Sequence, residues 1–260
     1  MAKKVYIGVG HGGKDPGAVA NGFKEKELNL SIALACRDEL VRHGVSVKIS
    51  RTKDVDSELY DRIKECNAFS PDYALDIHNN AGGGDGIEVY HTYLFGKGKT
   101  LANNIISEVK KIGQNSRGTK IKKNSSGKDY FGFIRQIKAP AIIVECAFVD
   151  NKTDIKIIDT AAEQKKMGVA IAKGILKSLG ITYKSVTSYS NPYAAGTKLS
   201  LKNCRVYASS TAKTKSRKKT GTYYIWSSYV VNKRIRITNS KLRVGKSGQV
   251  TGWIDVANVK

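Results

Sequence analysis

A chain of 260 residues is long enough for one ordinary domain and a second, smaller one. Hydrophobic residues make up 40% of it, enough for a buried core, and no stretch approaches the roughly 20 apolar residues of a membrane-spanning helix. The formal net charge of +23 excludes an electrostatically neutral surface and points to a polyanionic partner. No long apolar segment precedes the first strand pattern, so we expect synthesis in a cytosol without a Sec signal.

Strand and helix patterns alternate along residues 1–181, which predicts an α/β domain with a mixed, largely parallel central sheet flanked by helices. Apolar runs predict buried strands at residues 5–9, 45–50, 73–77, 87–93 and 141–145. Helical apolar stripes and helix-terminus signals predict helices at residues 28–43, 57–69, 100–112 and 161–179. The polar residues 114–133 are predicted to form a surface loop.

The sequence changes character after residue 181. Residues 182–197 are rich in Ser, Tyr and Lys, which predicts a linker. Residues 198–260 contain short β-rich pieces between glycines and asparagines, which predicts a small all-β barrel domain. From residue 182 onward, 16 Lys and Arg residues stand against one acid, Asp255. We expect this part of the chain to bind a polyanion: nucleic acid, an acidic membrane or an anionic cell wall.

The four cysteines form neither a CxxC pair nor a zinc-finger spacing, which predicts reduced, mostly buried thiols. They are Cys36, Cys66, Cys146 and Cys204. Cys146 follows Glu145 directly and is therefore an alternative nucleophile, although a reactive thiolate would need a base arranged for it.

Two glycine-rich segments imitate nucleotide-binding motifs. Residues 8–13 match G-x-G-x-x-G after a strand, but Pro16 and Gly17 keep the chain irregular where a dinucleotide site needs a helix at once. Residues 96–100 resemble a P-loop, yet Tyr93 stands where its first glycine is required. Both interpretations fail.

Four ionisable residues lie near predicted strand ends or at the start of the first helix. His11 closely follows the first strand, while His78 and Glu145 end two later ones. Glu25 comes just before the first predicted helix. If these strands run parallel, their polar ends meet at one edge of the sheet. Two imidazoles and one carboxylate leave a fourth position of Zn²⁺ for water, and a second carboxylate nearby can take a proton from that water.

These four residues stand in ordered motifs within residues 1–181. The motifs are Gly10-His11-Gly12-Gly13-Lys14-Asp15-Pro16-Gly17-Ala18, Lys24-Glu25-Lys26-Glu27-Leu28-Asn29-Leu30, Ile77-His78-Asn79-Asn80-Ala81 and Val144-Glu145-Cys146-Ala147-Phe148-Val149-Asp150-Asn151. This part of the chain resembles the zinc-dependent N-acetylmuramoyl-L-alanine amidases of the amidase-3 family. The resemblance implies that His11, Glu25 and His78 bind Zn²⁺ and that Glu145 is the catalytic base. It also implies hydrolysis of the amide between N-acetylmuramic acid and L-alanine of the peptidoglycan stem peptide.

Other residues are further candidates for the same site. Glu27 is the alternative to Glu25 as a metal ligand. Asn80, His91 and Arg135 are predicted to contact the substrate, although His91 is equally well explained as an ordinary strand residue.

Residues 198–260 resemble a bacterial SH3-like wall-binding domain, through segments 223–226, 234–239 and 252–256. Tyr223, Tyr224 and Trp226 are the predicted wall-binding residues. The excess of Lys and Arg suits peptidoglycan and anionic wall polymers. Nucleic acid is the competing ligand, because single strands are also bound by interleaved aromatic and basic residues, but we do not expect it here.

A zinc amidase followed by a wall-binding domain resembles a phage or prophage endolysin that acts on the extracytoplasmic cell wall. A spore-associated or mother-cell autolysin has the same layout. Two alternatives stay open: a zinc peptidase that cuts within the stem peptide, and a non-catalytic wall-binding protein with a vestigial metal site.

Overall fold

The computed structural model describes residues 2–185, 194–210, 212, 216–231, 233–246 and 250–259. The chain divides into two compact units, residues 1–183 and 184–260. Most of the predicted linker, at residues 186–193, lies outside the described residues. The roles assigned to the predicted domains 1–181 and 198–260 stay predictions.

The described residues of the first unit form eight strands: β1 (Lys4–Val9), β2 (Val19–Ala20), β3 (Phe23–Lys24), β4 (Ser46–Ile49), β5 (Tyr73–Asn80), β6 (Ile87–His91), β7 (Ser116–Lys120) and β8 (Ala141–Phe148). Six of them form one sheet in the order β4-β1-β5-β8-β6-β7. The strands β4, β1, β5 and β8 run parallel, whereas β6 is antiparallel to β8 and parallel to β7. The predicted mixed, largely parallel sheet is therefore confirmed.

Helices cover both faces of this sheet. They are α1 (Glu25–Arg42), α2 (Leu59–Phe69), α3 (Lys97–Lys110), α4 (Gly132–Gln136) and α5 (Ala161–Ser178). The first core cluster joins α1, α3 and α5 to one face, with Ile7 and Val144 among its members. The second joins α2 and α4 to the other face, where Tyr6 and Ile143 are buried. Because both faces are covered, the central strands are apolar on successive residues.

The predicted surface loop at residues 114–133 was wrong in part, because it contains β7 and the start of α4. The β7 sequence, Ser-Arg-Gly-Thr-Lys, has no apolar residue. Among the described strands, β7 pairs with β6 alone, at the edge of the sheet. An edge strand of this kind lacks the alternation of apolar and polar residues by which strands are recognised in sequence.

The second unit is a closed antiparallel barrel. Its strands are β9 (Lys198–Tyr207), β10 (Ser216–Val231), β11 (Arg234–Thr238) and β12 (Gly252–Asp255), in the order β10-β11-β12-β9. The side chains that face inward alternate along the strands, as with Leu199 and Leu201 of β9 and Ile235 and Ile237 of β11. The predicted small all-β barrel is confirmed.

The three aromatic residues predicted to bind the wall occupy different places in this barrel. Tyr223 is 9% exposed and belongs to the barrel core, so its predicted place on a binding surface needs correction. Tyr224 and Trp226 are half-buried, since side chains alternate along β10. The indole nitrogen of Trp226 donates to the Lys246 carbonyl over 3.1 Å, and the Arg236 guanidinium lies 5.2 Å from the Trp226 ring centroid.

In the part of the chain that the structure describes, no helix combines the length and the apolar character needed to cross a lipid bilayer.

Candidate active site

The ends of β1 and β5 bring His11 and His78 together. These strands are parallel neighbours, and the Gly10 backbone nitrogen donates to the Ile77 carbonyl over 3.0 Å, which extends their pairing to the loop that carries His11. The two imidazole rings lie edge to face with centroids 5.0 Å apart. Glu25, the first residue of α1, is buried beside them. One donor atom from each of His11, Glu25 and His78 lies within 4.8 Å of the others.

The Glu25 carboxylate bridges the two imidazoles. Its Oε2 lies 3.1 Å from His11 Nε2, and its Oε1 lies 2.9 Å from His78 Nδ1. Three further donors fix the same carboxylate: the backbone nitrogens of Ala18 and Asn79 and the side-chain amide of Asn29. Five groups therefore hold the carboxylate in one orientation.

The electrostatics of these residues favour a cation between them. The hydrogen bond to Glu25 raises the pKa of His11. Burial lowers the pKa of His78, but Asp76 and Glu25 outweigh it and raise that pKa to about 10. Burial alone would raise the pKa of Glu25, yet its bonds to the two imidazoles hold it well below its usual range. A divalent cation can take the place of the imidazole protons, and three nitrogen and oxygen donors fit catalytic Zn²⁺.

Glu27 does not reach this cluster. Its side chain is 62% exposed and lies 3.9 Å from the Lys24 ammonium. Side chains two positions apart in an α-helix point in directions that differ by about 200° around the helix axis. Glu27 therefore points away from the cluster when Glu25 points toward it. The geometry thus supports Glu25 over Glu27, and the ligand assignment itself stays a prediction.

Two glycines of the first strand region make room for the polar side chains of β5. A Cβ atom on Gly10 would lie 2.2 Å from the His78 ring, and one on Gly8 would lie 2.4 Å from Asp76 Oδ1. Both positions must therefore be glycine for His78 and Asp76 to keep their places.

A buried ion pair lies behind His78. Arg62 of α2 donates to both oxygens of Asp76 over 2.7 and 2.8 Å. Asp76 Oδ2 also lies 3.5 Å from His78 Nε2. Carboxylates that contact a ligating histidine fix the orientation of its ring, so Asp76 would orient His78 toward a bound metal.

Glu145 lies in register with His78 across β5 and β8, so both side chains are on the same face of the sheet. Its Oε2 atom is buried and has no hydrogen-bond partner among the described residues. Burial raises the pKa of Glu145 to about 7, against the opposing effect of the charge on His78. A buried carboxylate oxygen without a partner, beside three candidate metal ligands, is a strong indication of a catalytic site.

Comparison with known proteins agrees with this arrangement. The family model for N-acetylmuramoyl-L-alanine amidases of the amidase-3 type matches residues 5–177, which include the whole cluster and Glu145. The chain belongs to the amidase-3 family. The barrel unit lies outside the matched residues.

Three relatives illustrate the similarity. The N-acetylmuramoyl-L-alanine amidase CwlM of Bacillus licheniformis is 35% identical over 196 residues, which cover 74% of this chain and 75% of that protein. The endolysin of Bacillus phage SPP1 is 34% identical over 194 residues, covering 71% and 69%. The solved structure of the amidase AmiC2 of Nostoc punctiforme is 30% identical with a TM-score of 0.62, covering 68% of this chain and 97% of that one.

The three other predicted site residues of the amidase unit lie in different places relative to the cluster. Asn80 shares the face of His78, and its amide donates to Glu88 Oε2 over 3.2 Å. His91 is 2% exposed and packs near Gly98 of α3 on the opposite face, so it does not lie with the cluster. Arg135 donates to the backbone carbonyls of residues 129 and 130 and holds that turn in place.

Sequence reasoning missed several residues that support the site. Asp15 Oδ2 lies 2.6 Å from His11 Nδ1, and buried Arg51 donates to the carbonyls of Gly10 and Lys26, tying the His11 loop to α1. For Asp76, a signal was present, because an aspartate inside the apolar run 73–77 is unusual in a buried strand. Asp15 and Arg51 gave no comparable signal, since both lie in polar segments.

Proposed function

We propose that the first unit hydrolyses the amide bond between N-acetylmuramic acid and L-alanine of the stem peptide, with Zn²⁺ held by His11, Glu25 and His78. As a member of the amidase-3 family, the chain is a hydrolase that acts on peptidoglycan. One observation carries the assignment of the site: three donor side chains converge within 4.8 Å beside a buried carboxylate oxygen that has no partner among the described residues.

The residues of the chain divide the chemistry between them. Zinc bound at this cluster would supply a Lewis acid that polarises the scissile carbonyl and makes a water molecule more acidic. Glu145 accepts one proton as water adds to the carbonyl carbon, and it returns that proton to the nitrogen of L-alanine as the C–N bond breaks. The products are a lactyl carboxylic acid and a free amine, which ionise to a carboxylate and an ammonium, so one water is consumed for each bond cleaved.

The alternative hydrolytic activity is a zinc peptidase that cuts inside the stem peptide. Mass spectrometry of purified wall digested by the zinc-loaded chain separates the two. New free L-alanine amino termini support the amidase. New termini only at later stem positions would contradict it, and the absence of any release would favour a non-catalytic wall-binding protein.

For the second unit we propose an SH3-like domain that binds peptidoglycan or an anionic wall polymer. Its support is the closed β-barrel together with 16 Lys and Arg residues against one acid from residue 182 onward. Co-sedimentation of the full chain with purified walls, in competition with a single-stranded oligonucleotide at physiological salt, tests it. Tighter binding to walls than to the oligonucleotide is expected, and tighter binding to the oligonucleotide than to walls would contradict the proposal.

The combination of the two units suits an endolysin or an autolysin that acts on the wall outside the cytoplasm. Phage and bacterial relatives match this chain at 34% and 35% identity, so similarity favours neither role. In either role, the purified chain should lower the turbidity of a wall suspension without an activator.

A further inference from the structure

A row of ionisable side chains crosses the sheet from the metal-binding cluster to its edge. His78 of β5 pairs in register with Glu145 of β8, and Glu145 pairs with Glu88 of β6. Glu88 contacts Arg117 of β7, the edge strand. The row therefore leads from the proposed zinc site, through the catalytic carboxylate, to a guanidinium.

Arg117 is fixed in place and still has hydrogen-bond donors to spare. Its Nε donates to Glu88 Oε1 over 2.6 Å, and its guanidinium lies 5.4 Å from the Phe148 ring centroid. Glu88 is buried and also accepts from Asn80 and Tyr90, which holds it still. The Arg117 side chain is 44% exposed, and its two terminal nitrogens have no hydrogen-bond partner among the described residues. A guanidinium in this state can bind a carboxylate through two parallel hydrogen bonds.

A second cation also lies at this end of the row. Lys120 Nζ lies 4.0 Å from Glu88 Oε1, so one carboxylate is shared by two positive side chains. The charge of Asp85 also acts on Arg117, and its carboxylate accepts a hydrogen bond from Asn115. The lactyl carboxyl of the sugar forms the scissile amide and carries no free charge. Near this bond, free carboxylates are therefore found on the peptide side. The charge at this end of the row therefore matches the peptide side of the substrate.

We propose that Arg117 binds a free carboxylate on the second residue of the stem peptide. This rests on the proposed function, which places the scissile carbonyl at the His11–Glu25–His78 cluster. Adjacent strands are about 4.8 Å apart, so a guanidinium beside Glu88 lies about 10 Å from the position of His78. Two extended peptide residues span about 7 Å of this distance, and a hydrogen bond to the guanidinium, about 3 Å long, spans the rest. The carboxylate of the second residue is thus the one within reach.

Binding of product-like peptides tests the assignment without requiring catalysis. The full chain, incubated with Zn²⁺, is titrated calorimetrically with L-alanyl-γ-D-glutamyl-L-lysine and with the same peptide amidated at the free α-carboxyl of its second residue. We expect the free acid to bind roughly 10-fold more tightly, the size of a charge-assisted contact at a half-exposed site. The Arg117→Gln variant should bind the acidic peptide only as tightly as the amidated one. Its affinity for the amidated peptide should equal that of the unmodified chain.

Matched variants separate recognition from a structural role. Arg117→Lys keeps the charge without the planar fork and should retain only part of the preference. Arg37→Gln removes one guanidinium from α1, on the opposite face of the sheet, and should keep the full preference for the acidic peptide. If Arg117→Gln does not fold, Glu88→Gln/Arg117→Gln removes both charges, avoids a buried unpaired carboxylate, and should likewise abolish the preference.

Two results would overturn the assignment: equal affinity of the unmodified chain for both peptides, or an equal loss for both peptides in Arg117→Gln. Digestion of wall reports separately on the proposed function. A chain that prefers the acidic peptide but does not release L-alanine amino termini would contradict the amidase activity and leave Arg117 as a carboxylate-binding residue.

Discussion

At the scale of single residues, the environment of a carboxylate decides whether it can serve a metal. Glu25 and Glu27 share a helix and a side-chain type. Five hydrogen-bonding groups surround Glu25, whereas Glu27 faces solvent beside one lysine. A held carboxylate loses little conformational entropy when it binds a metal, and an exposed one would first have to be ordered.

This contrast predicts different outcomes for two matched substitutions. Glu25→Gln should lower Zn²⁺ affinity by more than about 100-fold, since losing a direct ligand should cost at least as much as losing an outer-shell partner. Glu27→Gln should retain about one zinc per chain, because its side chain lies outside the cluster. Chelator competition with elemental analysis measures both. Equal zinc loss in the two variants would show that Glu25 is not specifically a ligand.

Glu145 is expected to affect turnover and not metal binding. Glu145→Gln keeps the size of the side chain but cannot accept a proton, so hydrolysis should fall by about 10²–10⁴-fold while the zinc content stays near one per chain. The measurement is the rate of L-alanine amino-terminus release, with the zinc content determined on the same sample. A variant that loses zinc in parallel with activity would instead place Glu145 among the ligands.

At the scale of elements, the site depends on how closely β1 and β5 approach. Gly10→Ala would place a Cβ atom 2.2 Å from the His78 ring, so the ring must move. We expect zinc affinity to fall by roughly 10–100-fold, as for other changes that misplace a ligand. Gly98→Ala in α3 is the matched control, because its nearest contact is 3.7 Å away and alanine favours a helix. Unchanged zinc binding in Gly10→Ala would contradict this account.

The link between α2 and β5 makes a separate prediction about stability. Asp76→Asn leaves the Arg62 guanidinium buried without a carboxylate partner, which should destabilise the fold by about 3–5 kcal/mol. Lys3→Gln breaks the exposed pair with Asp72 and should cost less than about 1 kcal/mol. Denaturant unfolding of both variants checks the comparison, and similar small losses in the two would mean that the buried pair is unimportant.

Particular residues show how far the sequence could predict these elements. Two polar residues at the ends of apolar runs, His78 and Glu145, indicated the edge of the sheet where the candidate site lies. The sequence could not indicate that β7 is a strand, because an exposed edge strand needs no apolar face. The sequence also could not show on which face of the sheet His91 lies. Both faces of β6 are covered, so its hydrophobic pattern does not distinguish one face from the other.

At the scale of the whole molecule, the two units have separate cores and different charges. The apolar clusters of the amidase unit and of the barrel share no residue. Two-thirds of the net charge lies from residue 182 onward, where 16 basic residues face one acid. Separate cores predict units that fold independently, and the uneven charge predicts that attraction to an anionic wall comes from the barrel unit.

Removing the barrel therefore should separate catalysis from wall attachment. The chain shortened to residues 1–183 should cleave a soluble muramoyl peptide at the rate of the full chain, because every residue of the candidate site lies within it. It should co-sediment poorly with purified walls. Attachment of the full chain should weaken as salt rises from 0.1 M to 1 M, since the screening length falls from about 10 Å to about 3 Å. Wall binding by the shortened chain equal to that of the full chain, or binding of the full chain that salt does not weaken, would contradict electrostatic attachment through the barrel.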